Sequence, residues 1–455
     1  NAPLHEIAKL TSINYSILEM LLNEPININI TDNNGNTPLY VAFIKENSLF
    51  IQSLIDLDVN GSIDINIVNK KHQTPLFIIC MKGNFQIFDI LFSSKLKDQI
   101  DINLTSPIYI AAYKQQFMIV KKLIEMEGID LNSNKNESHS SETSDVENYI
   151  DEENNYICNN DFHFDFSGLN LLQIMSKYNS TELLKKIIEF DIFDINELTA
   201  DYVENKLNGT AIIITLKNNQ IKNFYLLIEH YKSNLDLSLY DNKGLAAIHY
   251  CLNLGSNSIN ILQELINIDN TIINMKTKDK KEETALMIAL HNNKIDCAIL
   301  LLQQPTINVL CQSSIDNSTA VHFAAGAKRQ DIINLVLNKI KTNESDKEMI
   351  DLINATNDKG ETALLIACKN ENVYVVQTLI DTFKDSLDFS IADNNGITPF
   401  VAALNTANNE LIHLLLLNEI CMSSVDLSVP IFDGNNYAIH LITMNSELEN
   451  FKLLL

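Results

Sequence analysis

The sequence predicts an all-α fold, a solenoid of helix–turn–helix units joined by short turn or hairpin loops. Three observations predict it. A tetrad returns along the chain, as Thr37-Pro38-Leu39-Tyr40, Thr74-Pro75-Leu76-Phe77, Thr284-Ala285-Leu286-Met287, Thr362-Ala363-Leu364-Leu365 and Thr398-Pro399-Phe400-Val401. A turn signal of the Asp/Asn-x-x-Gly kind precedes it, as in Asp32–Gly35, Asp241–Gly244, Asn357–Gly360 and Asp393–Gly396. Apolar residues at helical spacing follow it, as in Ile261-Leu262-Leu265-Ile266 and Ile332-Ile333-Leu335-Val336.

Each element of the unit has a local reason. Asn and Asp bond their own backbone in a turn, and Gly takes the left-handed position. Thr then caps a helix through its hydroxyl, and Pro sits at the first helical position, where no N–H is missed. Small residues follow where helices must approach closely: Ala42, Ala111, Ala112, Ala289, Ala324, Ala325, Ala367, Ala402 and Ala403. A second, amphipathic helix comes next. The unit closes on an extended Asp-Ile-Asn-like link, such as Asp64-Ile65-Asn66, Asp101-Ile102-Asn103 or Asp194-Ile195-Asn196.

Aligned on the Thr position, the anchors fall at 2, 37, 74, 106, 170, 210, 246, 284, 319, 362, 398 and 437, which makes twelve units. The step from 106 to 170 is the one long gap. This divides the chain into residues 1–132 with about four units, an insert over 133–165, and residues 166–455 with about eight units. Two units are degenerate, around Asn170-Leu171-Leu172-Gln173 and before Thr210, and their boundaries stay open at this level. Adjacent layers roughly 8–10 Å apart imply a curved, elongated rod.

A turn, two antiparallel helices and an extended link at this period resemble the ankyrin repeat family, over nearly the whole chain. His stands at the tetrad's fourth place in His5, His249, His322 and His440. Helix-pair solenoids of the HEAT or armadillo kind leave the Asp-x-x-Gly before each Thr-Pro-Leu unexplained. The resemblance implies binding of other proteins through the turn tips and the concave face of the first helices. By position, that points to Asn33, Asn34, Lys70, Lys71, Asn242, Lys243, Lys280, Lys281, Asp358, Lys359, Asn394 and Asn395.

The bulk composition narrows the function classes. At 455 residues the chain exceeds one compact core, and 46% hydrophobic content marks it as folded. Thirty-three Lys and Arg against 58 Asp and Glu give a formal charge of −25. Duplex nucleic acid and anionic membrane surfaces are disfavoured, and basic proteins or a large assembly are the electrostatic match. Asn, Ile and Lys are abundant, for which a biased genome suffices.

Seven cysteines without a Cys-x-x-Cys pair point to reduced thiols and a cytoplasmic location. No apolar run approaches the roughly 20 residues of a membrane span, and no signal peptide is visible. The chain starts at Asn1 and stops inside the apolar run Leu453–Leu455, so further sequence is expected beyond both ends.

The insert holds seven acids between Glu137 and Glu153 and no Lys or Arg. It reads as a solvated acidic loop, within which Ser144, three residues before Glu147, suits an acid-directed kinase. Asp161, His163 and Asp165 alone are weak evidence for a metal site.

No catalytic constellation emerges. The tetrad histidines read as structural, bonding turn backbone between units. His230, His291 and His413 lie at or near helix ends and read as surface residues. Cys80 and Cys368 share one repeat position, with Cys251 one place earlier, and read as buried thiols. No Walker, Gly-x-Gly-x-x-Gly, His-Glu-x-x-His or Gly-x-Ser-x-Gly pattern occurs. No cofactor is expected. Lys276, Lys278, Lys280 and Lys281 form a local basic cluster, which reads as solvated turn tip or as a contact for an acidic partner. The expected function is therefore a non-catalytic interaction scaffold or adaptor, for instance in a cytoskeletal assembly. The alternative is the ankyrin arm of a larger protein, such as a membrane channel, a kinase or a ubiquitin ligase.

Overall fold

A computed structural model describes residues 2–10, 15–22, 26–58, 61–132, 169–199, 208–327, 330–343 and 346–424. The acidic insert with Ser144, Cys158, the Asp161/His163/Asp165 triplet, His440 and the closing segment through Leu455 lie outside these residues.

The chain divides into two packed units, Asn1–Leu235 and Asp236–Leu455. Among the described residues the first holds six helix pairs. They are α1 (Pro3–Ala8) with α2 (Tyr15–Leu22), α3 (Pro38–Lys45) with α4 (Ser48–Leu57), and α5 (Pro75–Lys82) with α6 (Phe85–Phe92). Then come α7 (Pro107–Tyr113) with α8 (Phe117–Ile124), α9 (Leu171–Ser176) with α10 (Thr181–Ile188), and α11 (Ala211–Lys217) with α12 (Ile221–Tyr231).

The second unit begins with α13 (Ala247–Cys251) and α14 (Ser258–Ile268), then α15 (Ala285–His291) and α16 (Ile295–Leu302). Next is α17 (Ala320–Gly326) with α18 (Gln330–Asn343), followed by an extra helix, α19 (Asp346–Ile353). That addition accounts for the long step from 319 to 362. Last come α20 (Ala363–Lys369) with α21 (Val373–Phe383), and α22 (Pro399–Thr406) with α23 (Asn409–Leu416) and α24 (Glu419–Ser424). Among the described residues β structure is limited to isolated bridges in the turns, such as Tyr240 with Ala246 and Lys276 with Thr284.

Within each unit the first helices pack on one another in succession, and the second helices largely do the same. The alanines make this approach possible: Ala42, Ala111, Ala112, Ala289, Ala324, Ala325, Ala367 and Ala403 are fully buried. The cap chemistry follows the tetrad. The hydroxyls of Thr37, Thr74 and Thr362 accept from the N–H three residues on, at 3.2, 3.1 and 3.2 Å.

Ser106 departs from the expectation. It stands at φ +50° with Thr105 at +65°, and its side chain caps nothing in helix α7. Only 32 residues separate anchors 74 and 106, the shortest of the anchor spacings, which leaves little chain for the turn before Ser106. Two consecutive left-handed residues take the place of the Asp-x-x-Gly tip.

The two degenerate units fold as ordinary members of the stack. Asn170 caps α9, accepting from the Gln173 N–H at 2.8 Å, while Gln173 Oε1 accepts from the Asn170 N–H at 2.8 Å. Thr210 caps α11, and Gly209 N donates to the Thr199 hydroxyl at 2.7 Å. The insert leaves the stack intact on either side. Helix α7 packs on α9 and α8 on α10, Tyr178 Oη donates to the Tyr113 carbonyl at 3.0 Å, and Lys186 pairs with Glu125.

The Asp-Ile-Asn link turns out to be an interunit bond. The amide of Asn66 donates to the Gln99 carbonyl at 2.7 Å and accepts from Asp101 N at 2.9 Å. Asn274 repeats this with Thr306 and Asn308, and Asn354 with Ser386 and Asp388. The carboxamide offers donor and acceptor in one plane on a short side chain. Other asparagines cap second helices and reach back to the preceding repeat: Asn47 accepts from Phe50 N and donates to the Ala8 carbonyl at 3.1 Å. A share of the asparagine content therefore has a structural use.

The turn tips are also tied together. Lys278 N donates to the Gly244 carbonyl at 2.7 Å, Asp358 N to Asp316 at 2.8 Å, and Asn394 N to Lys359 at 2.9 Å. This contact explains the glycine. Gly244 stands at φ +74°, and a Cβ there would meet the Lys278 backbone at 2.6 Å. Replacing Gly244 with Ala is expected to lower stability by at least about 1–2 kcal/mol from the left-handed backbone alone. An unfolding free energy from urea titration that changes by less than about 0.2 kcal/mol would contradict the tip contact.

Candidate interaction surface

The surface is built from the tip outward. In each regular tip the first Asx carbonyl-type oxygen accepts two backbone N–H groups. Asp32 Oδ1 takes Asn34 N and Asn36 N at 2.8 Å each, and Asp393 Oδ1 takes Asn395 N and Ile397 N at 2.8 and 2.9 Å. A single hairpin rung closes the stem, as from Asp393 N to the Ile397 carbonyl at 3.0 Å. The side chains between these anchors point outward because the backbone has no other use for them. Asn33, Asn34, Lys70, Lys71, Asn242, Lys243, Lys280, Lys281, Asp358, Lys359, Asn394 and Asn395 are all exposed.

Some of these side chains still take part in the ladder. Asn394 Nδ2 donates to the Asp358 carbonyl at 2.8 Å, and the Asp358 carboxylate accepts from Asn317 at 2.6 Å. The four-lysine cluster also divides. Lys276 is half-buried, donates to the Gln312 carbonyl at 3.3 Å and stands 4.0 Å from Glu282. The Lys278 ammonium sits 4.1 Å from the Tyr240 ring centre. Lys278, Lys280 and Lys281 are exposed, and among the described residues the last two make no aromatic contact of this kind.

The tetrad's fourth residue links each unit to the next. His249 Nδ1 accepts from Ala246 N at 3.0 Å, and its Nε2–H donates to the Met275 carbonyl at 3.1 Å. His322 Nδ1 accepts from Thr319 N at 3.1 Å, and Nε2–H faces the Ala355 and Glu361 carbonyls at 3.0 and 3.1 Å. His5 Nε2 bonds the Asn36 carbonyl at 2.9 Å. The expected structural role therefore holds for these three. Other residue types do the same work. Gln173 Nε2 donates to Glu197 O at 2.7 Å, and Tyr109 Oη to Leu131 O at 2.6 Å. The sequence motif hid this, since Gln173 and Tyr109 look like departures from the His consensus.

Burial lowers the pKa of His249 and His322 below the usual value of 6.5, offset in part by the carbonyls they face and by Asp279 and Asp241, or Asp316 and Glu361. The first turn of each helix takes the ring neutral. A histidine depressed in the folded state contributes stability that is full above about pH 6.5 and falls as pH drops through the folded pKa. Glutamine supplies the same donor and acceptor without titrating. A His249→Gln/His322→Gln variant is thus expected to lose less stability than the parent between pH 7.5 and pH 5, read as the difference in urea midpoints. Equal losses would contradict the neutral-ring bonding.

His230, His291 and His413 are on the surface, as expected, with His291 stacked on Phe323 at a centroid distance of 5.6 Å. Cys80, Cys251, Cys297, Cys368 and Cys421 are buried, and burial pushes the thiols of Cys80, Cys251 and Cys368 up. Among the described residues no group of three His, Cys, Asp or Glu side chains could hold a metal ion, and no helix is long and apolar enough to cross a membrane.

The family model for ankyrin repeats (three copies) matches residues 50–135, 256–348 and 346–426, more than half of the chain. The chain belongs to the ankyrin repeat family. It is similar to a putative ankyrin repeat protein of Acanthamoeba polyphaga mimivirus, 27% identical over 240 residues that make up 50% of this chain and 29% of that protein. It is also similar to Rabankyrin-5 of Mus musculus, 24% identical over 187 residues, 41% of this chain and 14% of that protein. The chain thus spans under a third of the length of either relative.

Proposed function

We propose that the chain is a non-catalytic scaffold that binds partner proteins through its turn tips and the exposed face of its first helices. Ankyrin repeats are in general protein-interaction modules, and that coarser statement extends to this chain by family. One observation carries the finer reading. The tip backbones are held from one repeat to the next, while the side chains between the anchors are exposed. Such a surface is ordered before a partner arrives, so binding loses little conformational entropy. Many weak contacts on one stiff array then add.

The net charge of −25 favours basic partner surfaces. A cytoplasmic adaptor role belongs to the same proposal. Use as the targeting arm of a larger channel, kinase or ubiquitin ligase would employ the same surface, so the binding test is common to both.

Replacing the tip residues Asn33, Asn34, Asn242 and Asn395 with Lys is expected to reduce capture of a retained basic partner protein at least tenfold. Surface changes of this kind shift stability by only about 0.5 kcal/mol each, so the melting temperature should stay close to that of the parent. Equal capture by the parent and the variant, with both folded, would remove the tips from the binding surface.

A further inference from the structure

The second unit carries a feature that the tip reading does not use. Four residues after each anchor, one side chain of the first helix lies between the helices and the tips. In the first unit this place holds the exposed Glu6 in the first repeat and then Val41, Ile78, Ile110, Ile174 and Ile214, all buried, the last four to 2% exposure or less. In the second unit it holds Tyr250, Ile288, Phe323 and Ile366, all partly exposed, and then Ala402, which is buried. An apolar stripe is therefore open along α13, α15, α17 and α20.

At its middle lies a cleft of about 250 Å³ lined by Asp316, His322, Phe323, Glu361, Ile366 and Lys369, with Ser318 and two asparagines completing the rim. Its charge is one-sided. The Lys369 ammonium bridges Glu361 at 2.6 Å and Asp393 at 2.7 Å, so one cation serves two carboxylates. The Asp316 carboxylate accepts only neutral donors, the N–H and hydroxyl of Ser318 at 3.1 and 2.8 Å, among its described bonds. Glu283 extends the acidic side, 3.8 Å from the His291 ring. His322 turns both ring nitrogens to backbone and adds no cation.

We infer that this cleft receives an arginine side chain from an extended segment of a partner protein. The inference rests on the scaffold reading and names its partner more closely. An arginine stem would lie on Ile366, its planar guanidinium would face the Phe323 ring, and its fork would meet the Asp316 and Glu361 carboxylates. Arginine suits this better than lysine, because a planar, weakly hydrated fork both stacks on aromatic rings and bonds carboxylates in pairs. The apolar stripe on either side selects aliphatic or aromatic neighbours in that segment. The ordered acidic side supplies charge complementarity without a rearrangement.

The test is selection of phage-displayed random dodecapeptides on the full chain, with affinities then measured on synthetic peptides. The expected consensus has one fixed arginine flanked by apolar residues. Its Kd is expected to rise at least tenfold in Asp316→Asn/Glu361→Gln and again in Phe323→Ala, and to weaken steeply with salt. Asp316→Asn keeps one oxygen to accept from Ser318 N and places an amide donor that the Ser318 hydroxyl can accept, so it tests charge with the turn preserved. Melting curves of each variant verify folding, and Lys280→Glu/Lys281→Glu serves as the tip control. Peptides without a fixed basic residue, peptides unaffected by the cleft variants, or no recovered peptides would overturn the inference. Peptides lost only in the tip control would overturn it while leaving the scaffold reading in place. Failure of the chain to retain any partner protein would remove both.

Discussion

The constraint on which the rest depends is that successive repeats complete one another's polar groups. The link carbonyl of one repeat is bonded by the asparagine of the repeat before it, as with Asn66 and Gln99. The ring or amide at the tetrad's fourth place reaches the following turn, as with His249 and Met275. Among the described residues, several tips donate an N–H to the tip before them, as Asn394 does to Lys359. Three parallel lines of hydrogen bonds thus accompany the apolar contact between successive helices. Leaving a buried group such as His249 or Gln173 unpaired costs about 1–3 kcal/mol, and the more exposed asparagine and tip bonds add smaller amounts, so stacking is supported by polar satisfaction as well as by burial.

This arrangement explains what the chain tolerates. Repeats are joined side to side, so length can be added wherever a loop leaves the stack. The long insert departs after Asn132 and the stack resumes at Leu169, with α7 still against α9. Helix α19 is added after α18 without displacing α20 from α17. The same logic separates structure from recognition. Backbone and capping groups are committed to neighbours, which leaves the tip side chains and the open stripe of the second unit for other molecules.

Much of the fold was legible in the sequence, and the reason is local. Thr-Pro-Leu and Asp-x-x-Gly encode cap and turn chemistry that needs no tertiary information, so the anchors at 37, 74, 284, 362 and 398 were placed from residues alone. The two units around Asn170 and Thr210 were harder, because Gln173 replaces a ring by an amide with the same bonds, and the Thr199–Gly209 contact spans a longer loop. Ser106 was misread as a cap, since its short turn puts it in the left-handed region. The tips were legible as exposed positions. The open stripe was not, because Ile214 and Ile366 hold the same place in the pattern, and only packing makes one buried and the other accessible.

The central claim, that each repeat is completed by its neighbours, is tested most directly by native-state hydrogen exchange on an Asn274→Ala variant. The account predicts reduced amide protection in α14, α15 and α16, the helices around the lost bonds to Thr306 and Asn308, with protection in α22 and α23 retained. A uniform loss across the whole of the second unit, or no loss beyond residue 274 itself, would contradict it.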